Sequence, residues 1–319
     1  MEALKFRKAI LLVSLCLWTL TVFPQVKEDT IFQSDYLLIL NTYTSDAPWS
    51  NAIISPVLQW LNMERKTEVY VENMNMLMID DSLKLADLKT NIFAKYGKKK
   101  PKAVLLLGNS MMLFRNEMRE AWGDVPLILC GEESYMGPDD CYIKKYPVVP
   151  SEQVPLTNFT EEYNLTLLQT RVFIEENVKL LQHMIPGMKK IILIGDGRYV
   201  NQQLNTDMKQ LLQKAYPELE YDFYSAANMT TDSLLLKLNK VDSATTGVLL
   251  SSWFTRQVVA GNVQLQANSF QVISNSVTPI FALKNSLVVN SGMIGGFMYS
   301  QTDFNEQLLK TLSAVLSGV

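Results

Sequence analysis

Histidine is almost missing from this chain: His183 is the only one in 319 residues. A Ser-His-Asp or Cys-His catalytic site would have to use it. It falls late in a helical pattern, away from the ends of the strand-like runs. Other hydrolytic signatures are missing too, with no Gly-x-Ser-x-Gly elbow and no His-Glu-x-x-His pair. Carboxylate-only chemistry stays open, because Asp and Glu are plentiful, although Asp80-Asp81 and Asp139-Asp140 read as turn residues. Cysteine is equally scarce. Cys16 lies in the N-terminal apolar run, which leaves Cys130 and Cys141. Two cysteines and one distant histidine make a poor ligand set, so no metal is expected. Cys130 and Cys141 either pair as a disulfide, which an oxidising compartment would permit, or stay free and buried. The spacing does not decide, because the Cα separation is not in the sequence.

Charge of one sign is lacking as well. The formal net charge is -3, which excludes a broad electrostatic pull toward nucleic acid or anionic lipid. Lys98, Lys99, Lys100 and Lys102 form the only dense basic cluster, between a helix pattern and a strand pattern, and read as a solvated turn. Glycine-rich phosphate cradles are missing. Gly195-Asp196-Gly197-Arg198 has neither the Gly-Lys-Ser/Thr ending of a P-loop nor the third glycine of a dinucleotide fingerprint. It reads as a tight strand-to-helix turn, and no cofactor is implied. Gly295-Gly296 reads as a close backbone approach near a hinge.

What is there is globular. Hydrophobic residues make up 48% and charged residues 19%, which argues against long disorder. Lys5, Arg7 and Lys8 precede an apolar run over residues 9–23. That is the layout of a secretory signal, and the run is short for a span of roughly 20 residues. Val22-Phe23-Pro24-Gln25 is a poor cleavage site, so residues 1–25 are expected to be a signal peptide or a retained anchor on the inner membrane. The remainder is expected to be exported to the periplasm.

After Gln33, strand-like and helical runs alternate. Tyr36-Leu37-Leu38-Ile39-Leu40 is apolar throughout, as expected of a strand buried on both faces. Further strands are expected over residues 67–71, 103–107, 126–129, 191–194, 219–224, 248–250 and 279–283. Helical spacing links Leu85, Leu88, Ile92 and Tyr96, and later Leu204, Met208, Leu211 and Ala215. Helices are also expected from residue 165 through His183, over residues 263–275, and at the C-terminus with Thr302 or Asp303 as cap. Such alternation implies α/β lobes with parallel sheets. Pro147, Pro150 and Pro155 break the rhythm, so residues 145–157 read as the first crossing between lobes. The division expected is lobe 1 over residues 34–148, lobe 2 over 156–290, and a return segment over 291–319 whose helix packs on lobe 1.

Three segments carry a resemblance. Leu37-Leu38-Ile39-Leu40-Asn41-Thr42-Tyr43 with Ala47-Pro48-Trp49-Ser50 resembles the first strand and helix start of periplasmic-binding-protein-like domains. Val125-Pro126-Leu127-Ile128-Leu129-Cys130-Gly131 resembles their fourth strand. Gly292-Met293-Ile294-Gly295-Gly296-Phe297 resembles their glycine-rich return. The resemblance implies a type I periplasmic binding protein fold, two Rossmann-like lobes joined by a hinge. Members serve as substrate-binding proteins of ABC transporters and as sensor domains of Bacteroides-type hybrid histidine kinases. Pro56 departs from the pattern, since the first helix must start there or kink there. The end at Val319 is a second departure, expected of a fragment, a truncated gene product or a short form.

In open α/β sheets ligands bind beyond the carboxyl ends of the strands. That rule nominates Asn41, Tyr43, Trp49, Asn109, Ser110 and Glu132 in lobe 1. In lobe 2 it nominates Asp196, Arg198, Ser251, Ser252, Trp253 and Arg256, with Asn285 from the return. Trp253 and Arg256 lead the set. Rings, amides, hydroxyls and few charges suit a small polar ligand. Structural roles stand beside these: Trp49 as a core cap, Asn109 and Ser110 as helix caps. The expected function is a ligand-binding module of sensor type, with a membrane kinase as partner. The alternatives are a transporter component with a permease partner, a carboxylate-dependent hydrolase on a doubly wound fold, and an interaction subunit that has lost its ligand.

Overall fold

The chain order begins with β1 (Tyr36–Asn41), buried at every position and apolar until Asn41 ends it. It is followed by α1 (Pro48–Glu64), β2 (Glu68–Asn73), α2 (Ser82–Tyr96), β3 (Ala103–Leu107), α3 (Arg115–Trp122) and β4 (Leu127–Gly131). Then come β5 (Tyr135–Met136), α4 (Asp139–Lys144), β6 (Val154–Pro155) and β7 (Leu165–Gln169). The second half runs α5 (Ile174–Met184), β8 (Lys190–Gly195), α6 (Tyr199–Ala215), β9 (Glu220–Ser225), α7 (Thr231–Leu238) and β10 (Thr246–Leu250). It closes with β11 (Phe254–Val259), β12 (Asn262–Ala267), α8 (Ser269–Asn275), β13 (Phe281–Ala282) and α9 (Gln301–Ser317). The structure is a computed structural model that describes residues 36–64, 67–146, 148–259, 262–267, 269–285 and 293–318, with backbone alone at 64, 256–259 and 262–266. The basic and apolar N-terminal segment lies outside the described residues, among which no helix is long and apolar enough to cross a membrane.

Lobe 1 is a parallel five-stranded sheet in the order β2-β1-β3-β4-β7. The two-residue period of its strands splits the core into two layers. Leu38, Leu40, Val104, Leu106 and Leu129 face Leu85, Ile92, Met118 and Trp122. Leu37, Ile39, Leu105, Leu107 and Ile128 face Ile53, Val57 and Leu61 of α1 and Phe304, Leu308 and Leu312 of α9. Lobe 2 is a parallel four-stranded sheet in the order β13-β10-β8-β9. It divides the same way, with Ile191, Leu193 and Leu249 on one face and Ile192, Ile194, Val248 and Leu250 on the other.

Pro56 sits inside one continuous helix, α1, and does not start a new one. A proline there cannot donate to the carbonyl four residues back. That carbonyl, of Ala52, instead accepts from Asn305 Nδ2 at 3.0 Å and Gln301 Nε2 at 3.5 Å. The proline's missing donor therefore fastens α9 to α1.

Several sequence expectations are corrected. Residues 145–157 do not cross between lobes. They stay in lobe 1, where β5 and β6 pair antiparallel, and β7 pairs with β4. The first crossing is at residues 170–173, so lobe 2 starts at α5 and not at residue 156. The stretch from Leu165 is a strand because Leu165 and Leu168 are buried beside β4; a run this short fits either periodicity. Residues 263–275 hold β12 and then α8, not one helix, and β12 pairs antiparallel with β11. Ser300, not Thr302 or Asp303, caps α9 by accepting from the Asp303 N–H. No disulfide joins Cys130 and Cys141. Both thiols are free and buried, Cys130 in the layer under α1 and Cys141 with Val148 and Tyr199.

The first crossing and the return segment are stitched together at the hinge. Phe173 of the crossing meets Phe297 of the return edge to face, at 5.2 Å. Asn177 of α5 donates to the Phe297 carbonyl and accepts from its N–H, each at 2.8 Å. Gly296 lies so close that a Cβ there would sit 2.0 Å from the Ala282 carbonyl oxygen, the close approach expected of the glycine pair.

Candidate ligand site in the inter-lobe cleft

On the lobe 1 side the cleft is built by loops that follow β1, β3 and β4. Asn41 ends β1 and is fully buried. Its Oδ1 accepts from the Tyr43 N–H at 3.2 Å and its Nδ2 donates to Asn73 Oδ1 at 2.8 Å. It is thus a bracket that shapes the loop, and it borders neither of the two cleft cavities. The Tyr43 ring packs edge-on against Trp49 at 5.7 Å, and both rings face the cleft. Thr42 and Ser110 share a hydroxyl hydrogen bond of 2.9 Å. Asn109 donates to the Glu133 carbonyl at 3.2 Å, and its Oδ1 lies where a Cβ on residue 131 would be, so Gly131 is required.

On the lobe 2 side Asp196 and Arg198 follow β8. Arg198 donates through Nε to Asp196 Oδ1 and through Nη2 to Oδ2, both at 2.8 Å. The Arg198 N–H adds a third bond to Asp196 at 3.0 Å. Ser252 donates to Asp196 Oδ2 at 2.8 Å and accepts from Arg198 Nη2 and Asn201 Nδ2. The guanidinium lies 4.2 Å from the centroid of Phe254, a cation–π contact. Burial pushes the Asp196 carboxyl up, but the Arg198 charge and its hydrogen bonds outweigh that and hold it below its ordinary value. Burial pushes the Tyr43 hydroxyl up to about 12, against the pull of the nearby Arg198 charge.

Two cavities meet here. The larger, about 340 Å³, is lined by Tyr43, Trp49 and Glu132 from lobe 1 and by Arg198, Ser251, Ser252, Phe254, Phe270 and Lys284 from lobe 2. The smaller, about 70 Å³, lies between Asn109, Ser110, Glu133 and Tyr142 on one side and Arg198 and Tyr199 on the other. Tyr43, Trp49, Glu132 and Arg198 border both. Glu132 of lobe 1 and Lys284 of lobe 2 form an ion pair across the cleft, each only about an eighth exposed (13% and 12%).

Tyr43, Trp49, Asn109, Ser110, Glu132, Arg198, Ser251 and Ser252 thus converge as the sequence suggests. Asp196 stands behind Arg198 and lines only a side recess. Trp253 borders neither cavity. It is 0% exposed, packs with Leu234, Leu238 and Val272, and donates through Nε1 to Thr231 Oγ1 at 3.0 Å. The side chain of Arg256, its proposed companion, lies outside the described residues. Asn285 faces Gln301, at 3.3 Å, and lines neither cavity. Sequence reasoning missed Phe254, Phe270, Lys284, Tyr142 and Tyr199. Lys284 carries the same signal as Asn285, a place just past a strand end. His183 is exposed in the last turn of α5 and borders neither cavity.

No family model matches the sequence, and no curated protein matches it. Solved structures do. The ABC domain in complex with L-Trp from Streptococcus pneumonia is 15% identical, with 89% of this chain and 85% of that chain covered and a TM-score of 0.54. The trehalose repressor from Escherichia coli is 11% identical, with 89% and 94% covered and a TM-score of 0.53. A carbohydrate transporter from Acidothermus cellulolyticus, in complex with myo-inositol, is 9% identical, with 90% and 88% covered and a TM-score of 0.52. At such identities the likeness is one of fold, and it agrees with the two parallel sheets, the stitched hinge and the cleft: the chain has the type I periplasmic-binding-protein fold.

Proposed function

We propose that this chain is a ligand-binding module that closes its two lobes on a small molecule, and that it is not an enzyme. The observation that carries the reading is the larger cavity, whose wall is shared between lobes: Tyr43, Trp49 and Glu132 from one, Arg198, Phe254 and Lys284 from the other. Only a ligand that touches both lobes favours the closed arrangement over the open one. The wall combines four rings, Tyr43, Trp49, Phe254 and Phe270, and some aliphatic surface with fixed polar groups, the usual make-up of a small-molecule site. Two of the similar structures hold L-Trp and myo-inositol. The basic and apolar N-terminus supports export, and a sensor-type periplasmic role with a membrane kinase as partner is the reading we favour over a transporter component.

A thermal-shift screen of amino acids, sugars, nucleobases and small aromatics finds the ligand, because binding to the folded state alone raises its melting temperature. Calorimetry on Trp49→Ala and Phe254→Ala is then expected to show affinity lower by roughly tenfold or more, equivalent to about 1.4 kcal/mol. Unchanged affinity in both variants sinks the site assignment. Catalytic turnover of the bound compound sinks the binding-only reading.

A further inference from the structure

We infer that the larger cavity takes a small zwitterion with an apolar body, the chemistry of an apolar or aromatic α-amino acid, in preference to a neutral sugar. This rests on the binding reading above and adds the ligand class.

The first argument is charge. Each cation at the cavity already has an anion: Arg198 has Asp196, and Lys284 has Glu132. These groups are largely out of water, so a ligand with net charge would leave one sign uncompensated in a poorly solvated place, which is costly. A zwitterion keeps the balance. Its carboxylate can sit toward Lys284 and the Nη1 edge of Arg198, which the bonds to Asp196 and Ser252 do not use. Its ammonium meets Glu132.

The second argument is the supply of acceptors. A sugar brings several hydroxyls, each needing somewhere to donate. Asp196 is already taken by three Arg198 donors and by Ser252, and the Ser252 oxygen accepts twice while donating once. Glu132 is the one carboxylate on the cavity wall among the described residues. The Ser251 hydroxyl is fully buried, lines the cavity and has no hydrogen-bond partner among the described residues. A single buried hydroxyl suits one ligand carboxylate oxygen, since leaving it unpaired carries a desolvation cost. The third argument is the apolar wall. Phe270 stands at the cavity with 63% of its surface exposed, next to Phe254 and Ile273, and an apolar ligand body would cover it.

The test uses the purified chain and titration calorimetry. L-phenylalanine, L-tryptophan, L-leucine and L-methionine are compared with N-acetyl-L-phenylalanine, L-phenylalanine methyl ester, D-glucose and myo-inositol. At least one of the four amino acids is expected to bind. For the phenylalanine series, deleting either charge is expected to weaken affinity tenfold or more. Glu132→Gln should weaken the amino acid tenfold while the anionic N-acetyl compound loses nothing, since Lys284 is then left without its anion, with circular dichroism melts confirming that the variant folds. Binding of a sugar with no amino acid binding, or equal binding of the charge-deleted analogues, overturns the inference. So does failure of all four amino acids. If some other compound then binds and Trp49→Ala abolishes it, the cleft stands and only the ligand class falls. If no compound binds through Trp49, the binding reading falls too.

Discussion

The two lobes bring opposite chemistries to the same cleft. Lobe 1 contributes rings, Tyr43 and Trp49, set by a buried asparagine and by the start of α1. Lobe 2 contributes a buried charge network, in which Asp196 and Ser252 hold the Arg198 fork against Phe254. Each lobe also has a tryptophan just past a strand end, and these two part ways. Trp49 is partly exposed and borders both cavities, while Trp253 turns back under α7 and α8 with no exposed surface. A place beyond a strand tip therefore nominates a residue without deciding which way it points. The local hydrogen bonds decide: the Trp253 N–H is held by Ser269 at 2.8 Å and its indole N–H by Thr231.

The contrast between the tryptophans gives the largest expected effect. Trp253→Ala should cost about 3–5 kcal/mol, as removal of a large buried ring does. Trp49→Ala should cost roughly half of that or less, because less of its surface leaves water on folding. Urea denaturation of both variants measures the difference. Equal losses would break the distinction between a core ring and a cleft ring.

A second comparison sets the ends of the chain against each other, for lobe 1 is completed by α9 after the chain has built lobe 2. Phe304, Leu308 and Leu312 lie in the lobe 1 core, and Asn305 serves the Ala52 carbonyl that Pro56 leaves without a donor. Asn305→Ala should cost about 1 kcal/mol, the net worth of one hydrogen bond. Pro56→Ala in that background should restore part of the loss, because residue 56 regains an N–H for the same carbonyl. Denaturant midpoints for the single and double variants check this. Simple additivity of the two changes would show that the proline and the asparagine are not coupled.

These contrasts also show how far the sequence could be read. Three strands of lobe 1, β1, β3 and β4, were legible because they are buried on both faces and so carry unbroken apolar runs. Leu165–Gln169 was not, because a five-residue apolar run fits helix and strand alike, and the proline-rich stretch before it looked like a crossing. Reading β7 as a helix displaced the first crossing from residues 170–173. In lobe 2 the hairpin of β11 and β12 was missed, although Gly261-Asn262 is a turn signal, because the run from Val263 reads as the start of a helix, and Phe254 was lost with it. The nominated loops held Tyr43, Trp49, Glu132 and Arg198, since the strand-end rule depends only on topology. It could not separate Asn41 and Trp253, whose tertiary hydrogen bonds turn them inward.

Two acids near the cleft, one from each lobe, are shifted in opposite directions, and this gives the smallest expected effect. Asp196 in lobe 2 is held below its ordinary value, so its stabilising contribution is lost as pH falls through its folded pKa. Glu133 in lobe 1 is pushed up to about 7 from an ordinary 4.5, first by burial and then by the charge of Glu132. Between those values the folded state holds a proton that the unfolded state has released, so stability declines as pH rises through the window. Glu133→Gln has no such proton to lose. Melting temperatures across pH 4 to 8 should therefore show the variant gaining on the parent as pH rises, by less than about 1 kcal/mol because solvent reaches part of the side chain. Below the window the two should agree, since the parent glutamate is then protonated in both states. A constant offset at every pH would mean that the Glu133 carboxyl is not shifted and that Glu133, like Asp196, stays charged.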